Sequence, residues 1–203
     1  MTPPVRIGIT GPIGCGKSTV ARWLGERSGV VVIDADRVAR DVLAAGSPET
    51  DAVYARFGDE LRRANGELDR TALGRLVFSD PAALRDLEAI VHPAVRPRIV
   101  AEMDAADAAG ADAVVIEAIK LVEGGLADLC DEVWLVTCGP EVQLERLVGR
   151  GGDGDDARDR IAAQGDLAAR LRPAATYVID TGDERATTRS RALERLDAAL
   201  THP

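Results

Sequence analysis

The sequence predicts an α/β fold, a parallel five-stranded sheet doubly wound by helices, and three observations predict it. Short apolar, β-branched runs recur with helical stretches between them, the alternation from which parallel sheets are built. The first run leads directly into Gly11-Pro12-Ile13-Gly14-Cys15-Gly16-Lys17-Ser18, which fits G-x-x-x-x-G-K-[ST] at every fixed position and opens a helical pattern. At 203 residues, with 46% hydrophobic and 29% charged residues, the chain buries a core without staples.

Taken in order, 5–10 is the first strand, 11–18 the phosphate loop (P-loop), and 18–27 the helix after it. The β-branched run 30–33 is the second strand. From Arg37 to about Gly110 no segment reads as a buried strand, and the helical patches 47–57, 70–78 and 81–91 fill it, with His92-Pro93 ending the last. So long a stretch is too much for a loop, and it reads as a helical insertion that closes over an acceptor. The runs 113–116 and 132–136 are the third and fourth strands, and 141–150 is a helix. A Gly/Asp-rich link at 151–156 reads as a hinge into a mobile, Arg-bearing lid. A fifth strand at 176–179 and an amphipathic helix at 186–200 complete the chain. The expected organisation is one P-loop kinase domain, 1–203, with its core at 5–36, 111–145 and 174–200. The helical acceptor-binding insertion covers about 37–110 and the lid about 146–172.

Composition narrows the partners. A formal charge of −9 repels polyanions and supports neither a nucleic-acid nor a membrane-surface role. Cys15, Cys130 and Cys138 are odd in number and lack zinc-type spacing, so a disulfide framework is not expected. The N-terminus runs into an apolar strand without a leader, and no segment approaches the roughly 20 apolar residues that span a bilayer. The expected location is the cytoplasm, and the expected state a monomer or weak homo-oligomer.

The loop carries the chemistry. Gly11, Gly14 and Gly16 let the backbone fold tightly so that successive N–H groups, including that of Cys15, face a phosphate, and the next helix adds its positive N-terminus. Lys17 neutralises the β- and γ-phosphates of ATP, the Ser18 hydroxyl completes a Mg²⁺ shell, and Thr19 offers a hydroxyl near the α-phosphate. The second strand runs into Asp34-Ala35-Asp36, with Arg40 behind it, at the carboxyl end where α/β sheets bind ligands. Asp36 is the candidate base for an attacking hydroxyl. Asp34 is either a metal or structural partner or a helix N-cap.

Several segments together resemble dephospho-coenzyme A kinases. They are Gly8-Ile9-Thr10-Gly11, Ile33-Asp34-Ala35-Asp36 with Arg40, Gly66-Glu67-Leu68-Asp69-Arg70, Leu87 to Pro93, and Glu123-Gly124-Gly125-Leu126. Gln143, Arg146 and Arg150 in one helical register, then Arg160-Ile161 with Gln164, continue the likeness in order along nearly the whole chain. The resemblance implies transfer of the γ-phosphoryl of ATP, with Mg²⁺, to the ribose 3′-hydroxyl of dephospho-coenzyme A, giving coenzyme A and ADP. It also implies that Thr10 and Asp36 flank the reacting hydroxyl and that Arg146 and Arg150 reach the phosphates. Four apart, these two arginines share a helical face; the alternative is a solvated face that pairs with Glu145. His92 either caps a helix or belongs to the coenzyme-binding region. Asp34, Arg40, Lys120 and Glu123 complete the candidate acceptor-binding set.

The chain departs from the family at four places. Pro12 stands where relatives have a second glycine, and Cys15 where they usually have Ser. Near a helix N-terminus and Lys17, the Cys15 thiol is expected to have a lowered pKa and to react, or else to serve as an inert small residue. Ile119-Lys120-Leu121-Val122-Glu123 replaces a Pro-Leu-Leu-Phe-Glu segment, so that Lys120 either offsets acceptor charge or snorkels to solvent. Thr181 replaces a common Asn where the adenine is expected. A nucleoside monophosphate or other small-metabolite kinase would share the loop, lid and metal. A nucleotide-dependent switch or binding module is the reading from a different class, and it leaves the carboxylates and arginines without a task.

Overall fold

In the computed structural model, which describes residues 3–151 and 153–201, the strands are β1 (Val5–Thr10), β2 (Val30–Asp34), β3 (Ala113–Glu117), β4 (Glu132–Thr137) and β5 (Tyr177–Asp180). Among the described residues they form one five-stranded sheet, ordered β2-β3-β1-β4-β5, and the neighbouring pairs β1–β3, β1–β4, β2–β3 and β4–β5 are all parallel. The helices are α1 (Lys17–Gly25), α2 (Ala35–Val42), α3 (Pro48–Phe57), α4 (Arg70–Ser79) and α5 (Pro81–Ala108), followed by α6 (Pro140–Val148), α7 (Gly154–Gln164), α8 (Leu167–Leu171) and α9 (Arg185–Thr201).

The pleat divides the apolar side chains between two faces. On one, Ile7, Ile9, Val115, Trp134 and Val136 bury themselves against Val20 and Leu24 of α1 and Ala192 and Leu196 of α9. On the other, Leu135 of β4 packs with Leu167 and Leu171 of α8. Because β1 lies between β3 and β4, the loop after it emerges where the strand order reverses. That reversal opens a crevice at the carboxyl edge of such sheets.

The chain divides into two compact units, one of residues 1–34 and 103–203, the other of residues 35–102. The smaller unit is helical: α2, α3, α4 and most of α5, with an isolated antiparallel bridge between Arg62 and Leu68. Ser47 caps α3 by accepting from the Thr50 amide at 3.1 Å, and Asp69 caps α4 by accepting from Thr71 and Ala72.

Two helices differ from their sequence reading. The helix expected at 81–91 instead continues through Pro93 and Pro97 to Ala108, so His92 lies in its middle and does not cap its end. Val91, Val95, Ile99 and Met103 supply the reason, a buried stripe at four-residue spacing that runs across both prolines. Each fully buried apolar side chain stabilises by about 1.5–3 kcal/mol, against about 3 kcal/mol lost per internal proline, so burial holds the helix together. The helix expected to reach Arg150 ends at Val148 with Gly149 as its cap. Arg150 therefore lies beyond the helix, between two glycines that weaken helical extension. The link expected at 151–156 includes Gly152, which lies outside the described residues; α7 begins at Gly154, capped by Asp153.

Candidate active site

The loop from Gly11 to Gly16 is shaped by what touches it. Gly11 has φ 141°, and a Cβ there would lie 2.1 Å from the Val136 carbonyl oxygen, so β4 itself excludes any side chain. Gly16 is the N-cap of α1 at φ 92°, with no side-chain cap and no acidic residue in the first helical turn. The first amides of α1 thus keep the pattern that receives an anion. Lys17 is 7% exposed and donates from Nζ to the carbonyl oxygens of Gly11 at 2.9 Å and Pro12 at 3.0 Å. This buried ammonium draws the two ends of the loop together, since a buried charge is stable only when its donors are used.

Beside it, Ser18 Oγ donates to Glu117 Oε1 at 2.6 Å. Glu117 ends β3 and is in register with Asp34 at the end of β2, so two carboxylate-bearing residues stand side by side at the carboxyl edge. Among the described residues no group of three or more His, Cys, Asp or Glu is placed to hold a metal. A hydroxyl and one or two carboxylates fit a Mg²⁺ ion, which retains waters and phosphate oxygens and needs no all-protein cage. Glu117 was missed in the sequence because the strand was read to end at Ile116; its signal was an acidic residue directly after a buried apolar run.

Thr10, the last residue of β1, is fully buried, and its hydroxyl donates to the Ile119 carbonyl at 3.0 Å, fixing the turn after β3. Lys120 and Glu123 are exposed on that turn. Arg146 is half-buried: its Nη1 donates to Thr181 Oγ1 and its Nη2 to the Thr181 carbonyl, both at 2.7 Å. Thr181 Oγ1 in turn donates to the Cys15 carbonyl at 2.8 Å. Thr181 therefore acts on the site through Arg146 and the loop, its own hydroxyl being engaged within the protein. A cleft of about 130 Å³ beside the loop is lined by Thr19, Trp23, Arg146, Arg150, Thr181 and Arg185. In the smaller unit, Asp36 sits in the first turn of α2 with Arg40 one turn later, and the Arg40 carbonyl accepts from Arg70. His92 is half-buried in α5.

Of the two readings of Cys15, the reactive one with a lowered pKa is corrected. Cys15 is buried, with its sulfur 2.8 Å from that of Cys138, hydrogen-bonded and not joined as a disulfide. That hydrogen bond, then burial and the charge of Cys138, push the Cys15 thiol up and outweigh the pull of Lys17. Cys138 is held below the usual thiol value, first by the same hydrogen bond, with Arg146 and Lys17 helping. Burial pushes Cys130 up to about 12. When the pair loses a proton, Cys138 carries the charge. Iodoacetamide is therefore expected to label Cys138 before Cys15 or Cys130. Its rate should approach its plateau at a lower pH than the alkylation rate of an ordinary thiol does. Peptide mapping after brief alkylation checks this, and a first label on Cys15 would refute it.

Comparisons with known proteins bear on the family and the fold. A family model described as dephospho-CoA kinase matches residues 5–186. A dephospho-CoA kinase of Synechococcus sp. (strain CC9605) is 49% identical over 163 residues, covering 78% of this chain and 76% of that protein. The crystal structure of TT1252 from Thermus thermophilus superposes with a TM-score of 0.82 at 35% identity, covering 98% of this chain and 99% of that one. Dephospho-CoA kinase from Campylobacter jejuni superposes with a TM-score of 0.70 at 25% identity, with 97% of both chains covered. The sheet order, the phosphate loop and this similarity along nearly the whole length lead to one assignment: the chain belongs to the dephospho-CoA kinase family.

Proposed function

We propose that the chain transfers the γ-phosphoryl group of ATP to the ribose 3′-hydroxyl of dephospho-coenzyme A, giving coenzyme A and ADP. The observation that carries the reading is the phosphate loop, with Lys17 buried across it and Ser18 on Glu117, in a chain of this family. Phosphoryl transfer asks for positioning and charge stabilisation more than for covalent chemistry. The loop amides of Gly14, Cys15 and Gly16 and the Lys17 ammonium hold the donor, and Thr19 lies beside its α-phosphate. Ser18, Glu117 and Asp34 are the residues that would hold Mg²⁺, which when bound neutralises charge on the phosphates. Asp36 accepts the proton of the attacking hydroxyl as its oxygen bonds to phosphorus and ADP departs. Thr10 shapes the turn that carries Lys120 and Glu123, and these join Arg40 and His92 in binding the acceptor. Arg146 and Arg150, lining the cleft beside the loop, meet the nucleotide from the other side.

The proposal extends to organisation. The acceptor-binding insertion is about 37–110, most of it within the compact unit of residues 35–102, and the lid is about 146–172. Among the described residues no helix is long and apolar enough to cross a membrane, and Val148 is the one exposed large hydrophobic residue. The proposal includes a monomer or weak homo-oligomer acting in the cytoplasm. The test is an ADP-release assay with Mg-ATP against dephospho-coenzyme A, AMP, CMP and buffer, with the product identified by mass. Turnover with dephospho-coenzyme A alone is expected. Turnover with AMP or CMP instead would favour a nucleoside monophosphate kinase, and hydrolysis stimulated only by a protein partner a switch.

A further inference from the structure

Ile13, at the crest of the phosphate loop, has its two backbone polar groups bonded to side chains far away in sequence. Its carbonyl accepts from Gln143 Nε2 at 2.6 Å, and its N–H donates to Gln164 Oε1 at 2.9 Å. Gln143 belongs to α6 and Gln164 is the last residue of α7. We propose that these two glutamines are positioning residues that clamp the tip of the phosphate loop in its nucleotide-receiving shape, and that Gln164 makes that shape depend on the placement of α7.

The chemistry suits glutamine at both positions. One site needs a neutral donor for a carbonyl and the other a neutral acceptor for an amide, and an amide side chain supplies either without placing a charge beside the phosphates. Because only the nitrogen donates and only the oxygen accepts, the orientation of each amide group is fixed by its partner. Gln143 is 6% exposed, so its donor is withdrawn from water and stays satisfied only while Ile13 is in place. The neighbouring residue gives independent support. A Cβ on Gly14 would lie 3.0 Å from the Gln143 carbonyl oxygen and 3.1 Å from its Cγ, so α6 presses directly against the loop. The other arm is braced as well: Arg170 Nη2 donates to the Gln164 carbonyl at 2.9 Å, holding the end of α7. With its amide already engaged, Ile13 leaves phosphate binding to the later amides of the loop, and the clamp removes alternative loop conformations before nucleotide arrives.

The inference rests on the nucleotide side of the functional reading and needs no particular acceptor. Gln164→Leu keeps the size and removes the acceptor, whereas Gln164→Glu keeps an accepting oxygen at the same reach. Measured by calorimetry on the full chain, Gln164→Leu should bind Mg-ATP about tenfold more weakly, the scale of one lost hydrogen bond plus loop ordering. The KM for ATP should rise to match, the KM for the acceptor should stay within about twofold, and the melting temperature should hold because Gln164 is half-exposed. Gln164→Glu restores the acceptor but adds a charge near the phosphates, so at raised ionic strength, where that charge is screened, it should recover affinity to within about threefold of the parent. Gln143→Met should weaken nucleotide in the same direction and also lower the melting temperature, since it leaves a buried carbonyl unsatisfied. Unchanged nucleotide affinity in Gln164→Leu, equal losses in the Leu and Glu variants at raised ionic strength, or a fall in melting temperature without a loss of affinity would each overturn the clamp. Turnover with a different acceptor would overturn the functional reading and leave the clamp standing.

Discussion

Lys17→Met is expected to lower kcat/KM by about 10³-fold, the scale reached when a preorganised electrostatic group is lost from a reacting centre. Methionine matches the lysine stem in length but carries neither charge nor donors. Two things disappear together. The phosphates lose the one buried cation that the loop presents, and the Gly11 and Pro12 carbonyls lose the donor that ties the loop's ends. The first loss falls on the transition state, because charge on the transferring group and the leaving oxygen has no counterpart. The second is structural and smaller: leaving a buried carbonyl unpaired costs about 1–3 kcal/mol, which a thermal melt registers. Steady-state kinetics beside a melting curve separates the two. A loss of less than about tenfold with the fold intact would mean that the backbone amides alone hold the phosphates.

Asp36→Asn is expected to lower kcat by about 10²–10³-fold while ATP binding stays unchanged, as loss of a general base requires. The residue lies in the first turn of α2, directly after β2. The positive end of the helix favours an acidic side chain at this position, and α2 holds it at the carboxyl edge of the sheet. Asparagine keeps the shape and can still accept a hydrogen bond from the hydroxyl, but it cannot take the proton. Single-turnover measurements isolate the transfer step from product release. A loss of only a fewfold would make Asp36 an orienter of the hydroxyl and leave proton removal to solvent.

The sheet was legible in the sequence because its signals are local. Apolar, β-branched runs mark strands within a few residues of their true ends, and the glycine spacing before Lys17-Ser18 marks the loop without reference to anything distant. What escaped was set by partners far along the chain. Pro93 reads as a helix breaker because its local penalty is visible, while the buried stripe from Val91 to Met103, which carries the helix past it and past Pro97, depends on tertiary packing. Glu117 was passed over because a pattern search for apolar residues stops one residue short of it. Cys15 was read from its nearest neighbours in sequence, Gly16 and Lys17, yet its behaviour is governed by Cys138, 123 residues away. In the same way, the tie between Arg146 and Thr181 spans 35 residues and has no periodic trace.

The carbonyl of Val136 against Gly11 divides substitutions in the phosphate loop into two kinds. At Gly11 the obstruction is the backbone of a central strand, which cannot yield without disturbing the sheet. A side chain there reduces how much folded enzyme a cell accumulates, through clearance of unfolded chains. At Lys17 the fold loses far less than the catalyst does, so the protein persists in reduced amounts and sits idle. Two residues six apart in one motif thus fail differently, one by disappearing and the other by remaining as an inert competitor for ATP or acceptor.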